Sequence, residues 1–144
     1  MKETQNFQNH VRWHPLVHFV ITPLLFINLI WQIVRLSLER SWDRAENLLV
    51  AIALMLISVA ARLQALAAQN RVIRLEEYLR YKEILPADLA VQAQNLKTSQ
   101  IIALRFASDE ELPELVRRTL KGEFKDSKAI KLAVKNWRGD YLRV

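Results

Sequence analysis

Two stretches of this chain run without a charge over lengths that matter to a membrane: residues 16–34 and residues 47–61. A bilayer core about 30 Å thick needs roughly 20 helical residues at 1.5 Å each. The first stretch offers 19 residues, fourteen of them large and apolar. Pro15 stands at a natural first helical position, with His14 before it as a cap. Pro23 lies inside the stretch and removes one backbone hydrogen bond, so a kink is expected there. A cleavable signal is the other reading of such a run. Against it, the run is longer than a usual signal core and is followed by Arg35-Leu36-Ser37-Leu38-Glu39-Arg40, with no small-residue cleavage pattern.

The second stretch is shorter, because Arg62 interrupts it before Leu63 to Ala68 continue. Counted from Asn47 through Ala65 it still reaches about 29 Å, and an Arg near a span end can carry its guanidinium to the headgroups. The spans are placed at about 15–34 and 46–66. If they run antiparallel, Arg62 lies level with His18 near one interface, and Asn28 and Gln32 lie in the other half of the bilayer. Two readings of these polar residues stand: a polar path through the membrane, or hydrogen bonding between helices.

Positive residues next to the spans set orientation. In the loop, Arg35, Arg40 and Arg44 are balanced by Glu39, Asp43 and Glu46. After the second span come Arg62, Arg71, Arg74, Arg80 and Lys82, and Lys2 and Arg12 precede the first. Both termini are therefore expected in the cytoplasm. Trp13, Trp31 and Trp42 fall near the span ends, where amphipathic rings prefer to sit.

Nothing between Arg44 and Leu85 breaks a helix. One helix of about 40 residues is expected, roughly 60 Å long, only half of which fits in a bilayer. Along it Leu54, Ser58, Ala61, Ala65, Ala68, Val72, Leu75 and Leu79 follow the 4-3 alternation of a coiled-coil seam. The seam suits a parallel homodimer, or packing against the chain's own first span and C-terminal helices.

Pro86 ends the long helix, and a short helix is expected over 88–94. Thr98 caps another, holding Ile101, Ile102 and Phe106. Ser108-Asp109-Glu110-Glu111 spells a capping box ahead of Leu112, Leu115, Val116 and Leu120, and Gly122 marks the stop. Asp126 or Ser127 caps a last helix with Ile130, Ala133, Val134 and Trp137 on one face. A small helical domain closed by Phe106, Phe124, Trp137 and Tyr141 follows from these single apolar stripes. On the other face of the last helix Lys128, Lys131, Lys135 and Arg138 recur at helical spacing, and the final 24 residues carry seven Lys and Arg against three carboxylates. Such a stripe holds phosphates of anionic lipid or, less favoured, of nucleic acid; it is also what a solvated face looks like.

Composition narrows the chemistry. With no cysteine the chain has no disulfide, no thiolate metal site and no thiol nucleophile, and with two glycines it has no material for a phosphate-binding glycine loop. His10, His14 and His18 recur every four residues, as ligands on one helix face would. Pro15 separates His10 from that helix and no carboxylate on the second span completes a shell, so no metal or cofactor is expected. No serine has a matching base, so the chain is not expected to be an enzyme.

Four segments, Gln8 to Pro15, Arg71 to Glu77, Ile102 to Asp109 and Lys135 to Tyr141, resemble an uncharacterised family of small bacterial two-span membrane proteins over nearly the whole chain. The resemblance implies a bacterial inner-membrane location and no assigned activity. Members are sometimes labelled transporter permeases, yet a two-span hairpin is too short to form a pathway alone.

The expectation is an all-α protein: an arm over 1–14, a transmembrane hairpin over 15–68, a cytosolic continuation of the second helix over 69–85 and a small helical domain over 86–144. Its expected role is that of a non-enzymatic interaction or scaffold subunit in contact with the lipid bilayer and dimerising. An auxiliary subunit of a larger membrane transporter, using Asn28, Gln32 and Arg62, is the first alternative. A membrane-tethered lipid or nucleic-acid binder using the basic C-terminal stripe is the second.

Overall fold

The computed structural model describes residues 5–9 and 13–140. Its described residues form a π-helical turn, Leu16–Ile21, and six α-helices: α1 Thr22–Leu38, α2 Trp42–Ile84, α3 Ala87–Ala93, α4 Thr98–Leu104, α5 Leu112–Leu120 and α6 Ser127–Ala133. Among the described residues the only β-pairing is an isolated antiparallel bridge between Ala107 and Trp137. The all-helical expectation holds.

The chain divides into two compact units, Trp13–Ala67 and a second formed from Ala68 onward together with the N-terminal residues. In the first unit the helix through residues 16–38 and the helix α2 are long and apolar enough to cross a membrane by length and composition. Pro23 is accommodated by widening the turn ahead of it: the N–H of Thr22 reaches back five residues to Val17 O, and Pro23 follows as the second residue of α1. A kink is the expectation at Pro23; the feature found there is this π turn. The first stretch is also longer than expected, continuing to Leu38, where Glu39 turns extended. Residues 39–41 link α1 to α2, and Arg44 closes the link by an ion pair to Glu39 at 3.0 Å.

Helix α2 has 43 residues and no Pro or Gly, so nothing in its sequence interrupts the ladder. Its residues 42–67 lie in one unit and its residues 68–84 in the other. There Ile73, Tyr81 and Leu85 are buried, and Tyr81 and Leu85 join Leu89, Leu104, Leu112, Val116 and Ile130 in one core. This core explains the short helices, each of which buries one stripe.

Local signals placed most boundaries. Helix α4 starts at Thr98 but is not capped by it: Lys97 is the cap residue, its N–H donating to Gln100 Oε1 at 2.9 Å. Asp126 caps α6, accepting the Ala129 N–H at 2.8 Å. Helix α5 ends in a Schellman turn: Gly122 takes φ +75°, its N–H reaches Thr119 O and the Glu123 N–H reaches Arg118 O. Two boundaries differ. The Ser108–Glu111 box forms, with Ser108 N–H to Glu111 Oε1 at 3.3 Å and Glu111 N–H to Ser108 Oγ at 3.4 Å, but α5 begins only at Leu112. Pro113 then sits in its first turn, the place where proline is harmless. Helix α6 stops at Ala133, and Val134 turns extended.

Candidate functional site

The early end of α6 decides where the C-terminal functional residues go. Beyond Ala133 the backbone finds partners outside its own helix: Glu111 accepts the N–H groups of Lys135 and Asn136, both at 3.1 Å, and Arg138 N–H donates to Phe106 O at 2.8 Å. Trp137 packs on Phe106 with ring centroids 4.7 Å apart. Residues 135–140 therefore form a strap laid across the end of α4. The expected helical face of Lys128, Lys131, Lys135 and Arg138 is corrected accordingly. Lys128 is exposed on α6, Lys131 Nζ stands 5.6 Å from the Phe106 ring centre, Lys135 is on the strap, and Arg138 Nη1 turns to Glu77 Oε1 at 3.9 Å. Tertiary hydrogen bonding overrides the helical period here.

Under the strap lies a cluster of charges that the sequence pattern does not single out. Glu77 and Arg80 stand one turn apart on α2 and are 5% and 8% exposed. The Arg80 guanidinium uses its whole fork: Nη1 meets Glu77 Oε2 at 3.3 Å, Nη2 donates to Ala107 O at 2.7 Å, and Nε and Nη2 both reach Asp109 Oδ1, at 2.9 and 2.5 Å. Arg105, also buried, stacks over Phe106 at 4.3 Å and pairs through Nε with Asp140 Oδ2 at 3.0 Å. Asp140 is fixed in turn by Gln5, which accepts its N–H at 2.7 Å and donates to its carbonyl at 3.3 Å. Gln5 is thus docked here. Glu77, Arg105 and Asp140 line a cleft of about 500 Å³.

Burial pushes the Glu77 carboxyl above its ordinary value, outweighing the pull of Arg80, Arg138 and Arg105. Burial, then the charge of Glu77, raise the Tyr81 hydroxyl; its oxygen is buried and has no hydrogen-bond partner among the described residues. Two signals could have revealed the cluster. Glu77 and Arg80 fall on the same face as Ile73 and Tyr81, and Arg105 interrupts the otherwise apolar run from Ile101 to Ala107.

The other predicted residues are placed as follows. Gln32 Nε2 donates to Asn28 Oδ1 at 3.3 Å, so these two amides meet within α1. Arg62 is half-buried on α2. His10 lies outside the described residues; His18 Nδ1 stands 3.0 Å from the His14 carbonyl, and the Trp13 ring meets the His18 ring edge-on at 5.0 Å. No group of three metal-binding side chains occurs among the described residues. Tyr141 also lies outside them. On α2 the expected seam is exposed: Val72, Leu75 and Leu79 are 54%, 61% and 55% accessible, Leu54 and the three alanines are exposed, and Ser58 is half-buried. Its packing against the chain's own helices is therefore corrected. The chain uses a different stripe of α2, in which Ala51, Ile73 and Glu77 are buried and Met55, Arg62, Leu66 and Gln69 are half-buried.

Residues 1–144 match the model of a protein family described as a family of unknown function, DUF6526. Comparison with curated proteins and with solved structures brings no match.

Proposed function

Since the chain belongs to the DUF6526 family, whose function is unknown, we propose that it is a two-pass protein of the bacterial inner membrane that presents a helical domain to the cytoplasm as an interaction or scaffold subunit, without catalysis of its own. The observation that carries this reading is exposure. The most apolar windows of the two long helices are 0% and 6% buried, whereas the core helix of a water-soluble protein hides its apolar side chains. Lipid is the solvent that accepts Phe19, Leu24, Ile27, Leu56 and Ile57 turned outward. Charge asymmetry supports cytoplasmic termini, since the link between the helices is balanced and the residues after Ala61 are rich in Arg. The buried ion cluster supports a structural role for the domain's charges, because they are consumed in fixing the strap. The domain turns Val91 and Leu132 outward as the apolar contacts available to a partner.

The chain has no cysteine, so single cysteines report topology directly. Ser41→Cys and Ser127→Cys are labelled in intact cells with an impermeant thiol reagent. Labelling at 41 alone is expected; labelling at 127 overturns the orientation. Photo-crosslinking residues at Val91 and Leu132 are expected to give discrete adducts with another protein in cells, and adducts at neither position would overturn the scaffold role.

A further inference from the structure

We propose that the exposed seam of α2 is covered by a second copy of this chain, in parallel and in register, with Arg71 of each copy paired to Glu76 of the partner subunit. The inference rests on the membrane reading above, because two copies inserted with the same topology can only run α2 parallel. Three observations on the helix carry it.

The seam and the stripe used by the chain's own packing are different faces. At about 100° per residue, Leu54, Ala61, Ala65, Val72 and Leu79 centre roughly 85° away from Ala51, Met55, Arg62, Gln69 and Ile73. A partner along the seam therefore meets the stripe used within the chain only at its edge, at Arg62 and Gln69. The seam also keeps the 3.5-residue period that turns two helices about each other with a left hand, whereas the inner stripe, Ala51 to Arg62 to Ile73, repeats at eleven residues and drifts the other way.

The charges flanking the seam suit a copy of itself. With Ser58, Ala65, Val72 and Leu79 at the a positions and Leu54, Ala61, Ala68 and Leu75 at d, each g residue faces the e residue five positions on in a parallel partner. Arg71 then meets Glu76, Gln64 meets Gln69, Tyr78 meets Glu83 and Ile57 meets Arg62, and no like-charged pair is created. Two-fold symmetry makes each contact twice. Arg71 and Glu76 are both exposed, and neither has an ion-pair partner among the described residues.

The side chains also change along the seam with the medium they meet. Ser58, Ala61, Ala65 and Ala68 are small, allowing backbones to approach closely where lipid gives no hydrophobic drive. Val72, Leu75 and Leu79 are large where the helix is in water and burial itself favours pairing. One continuous face is thus suited to a single partner helix on both sides of the interface.

The test uses the full chain in native membranes. Oxidation is expected to crosslink Val72→Cys and Leu79→Cys into dimers but not Arg74→Cys, which points away from the seam. By single-molecule photobleaching in liposomes, Arg71→Glu and Glu76→Arg are each expected to weaken the dimer about tenfold, and the double exchange to restore it. A dimer that crosslinks equally at position 74, or that the double exchange fails to restore, overturns the seam while leaving self-association intact. A monomer throughout overturns the pairing altogether. Labelling at position 41 decides the membrane reading separately, so the two failures are told apart.

Discussion

Replacing Arg80 with alanine should strongly destabilise the helical domain while leaving the membrane-spanning helices in place. Three losses add up at this position. The Ala107 carbonyl, wholly buried, loses the Nη2–H at 2.7 Å that satisfies it, a cost of about 1–3 kcal/mol. Glu77 keeps only Arg138 at 3.9 Å as a close cation, and removing one partner of a buried pair is typically worth about 3 kcal/mol or more before relaxation. The buried stem of Arg80 leaves a void as well. Asp109 contributes little, because its carboxylate is largely exposed and returns to water. A loss of about 4 kcal/mol is expected, against a total stability of about 5–15 kcal/mol for a domain of ordinary size. Arg80→Met, which keeps the stem, should recover about 1 kcal/mol. The control is Arg117→Ala, which removes an exposed pair to Glu114 at 3.6 Å and should cost no more than about 0.5 kcal/mol. Urea titration of the full chain in nanodiscs, read by hydrogen exchange of α4 and α5 amides, gives these differences. An Arg80→Ala variant within about 1 kcal/mol of the Arg117→Ala control would refute the account of the cluster.

The raised Glu77 carboxyl fixes the sign of a pH effect. Stability present below the ordinary glutamate value is lost as pH rises through the higher folded-state value, so the wild type should weaken relative to Glu77→Gln as pH rises above the ordinary glutamate range; thermal melts showing the opposite slope would contradict it. Tyr81→Phe keeps the buried ring and deletes a hydroxyl without a partner, so it should raise stability by about 1 kcal/mol, read in the same urea titration. Glu111→Ala strips the acceptor from Lys135 and Asn136, and their amides should exchange with solvent roughly tenfold faster while α3 is unchanged.

Much of the architecture was legible because it is written in local chemistry. The span of α2 follows from the absence of Pro and Gly, the end of α5 from Gly122, and the start of α6 from Asp126, each a signal contained within a few residues. What escaped was decided at a distance. Helix α6 ends at Ala133 because Glu111 and Phe106, more than twenty residues earlier, take the backbone hydrogens that a helix would have used, and no periodicity within 127–138 records that. The basic stripe read from that periodicity dissolved with it. The charge cluster was missed for a related reason: Glu77 and Arg80 look like any surface pair until α4 and the strap cover them. The seam was visible as spacing, but only the exposure of Leu75 and Leu79 showed that the chain itself does not use it.

The docking of Asp140 on Arg105 also bears on the order in which the domain can form. The cluster draws on residues near 77, 105, 109 and 138–140, so its contacts join segments made far apart in time on the ribosome. Until residue 140 has emerged, Arg105 has no Asp140 to meet, and burying it early would be unfavourable. The helices can form as they are made, but closing the core waits for the strap. A nascent chain halted after Ala133 would hold its helices and expose its core, which makes the strap the step that commits the domain to its folded state.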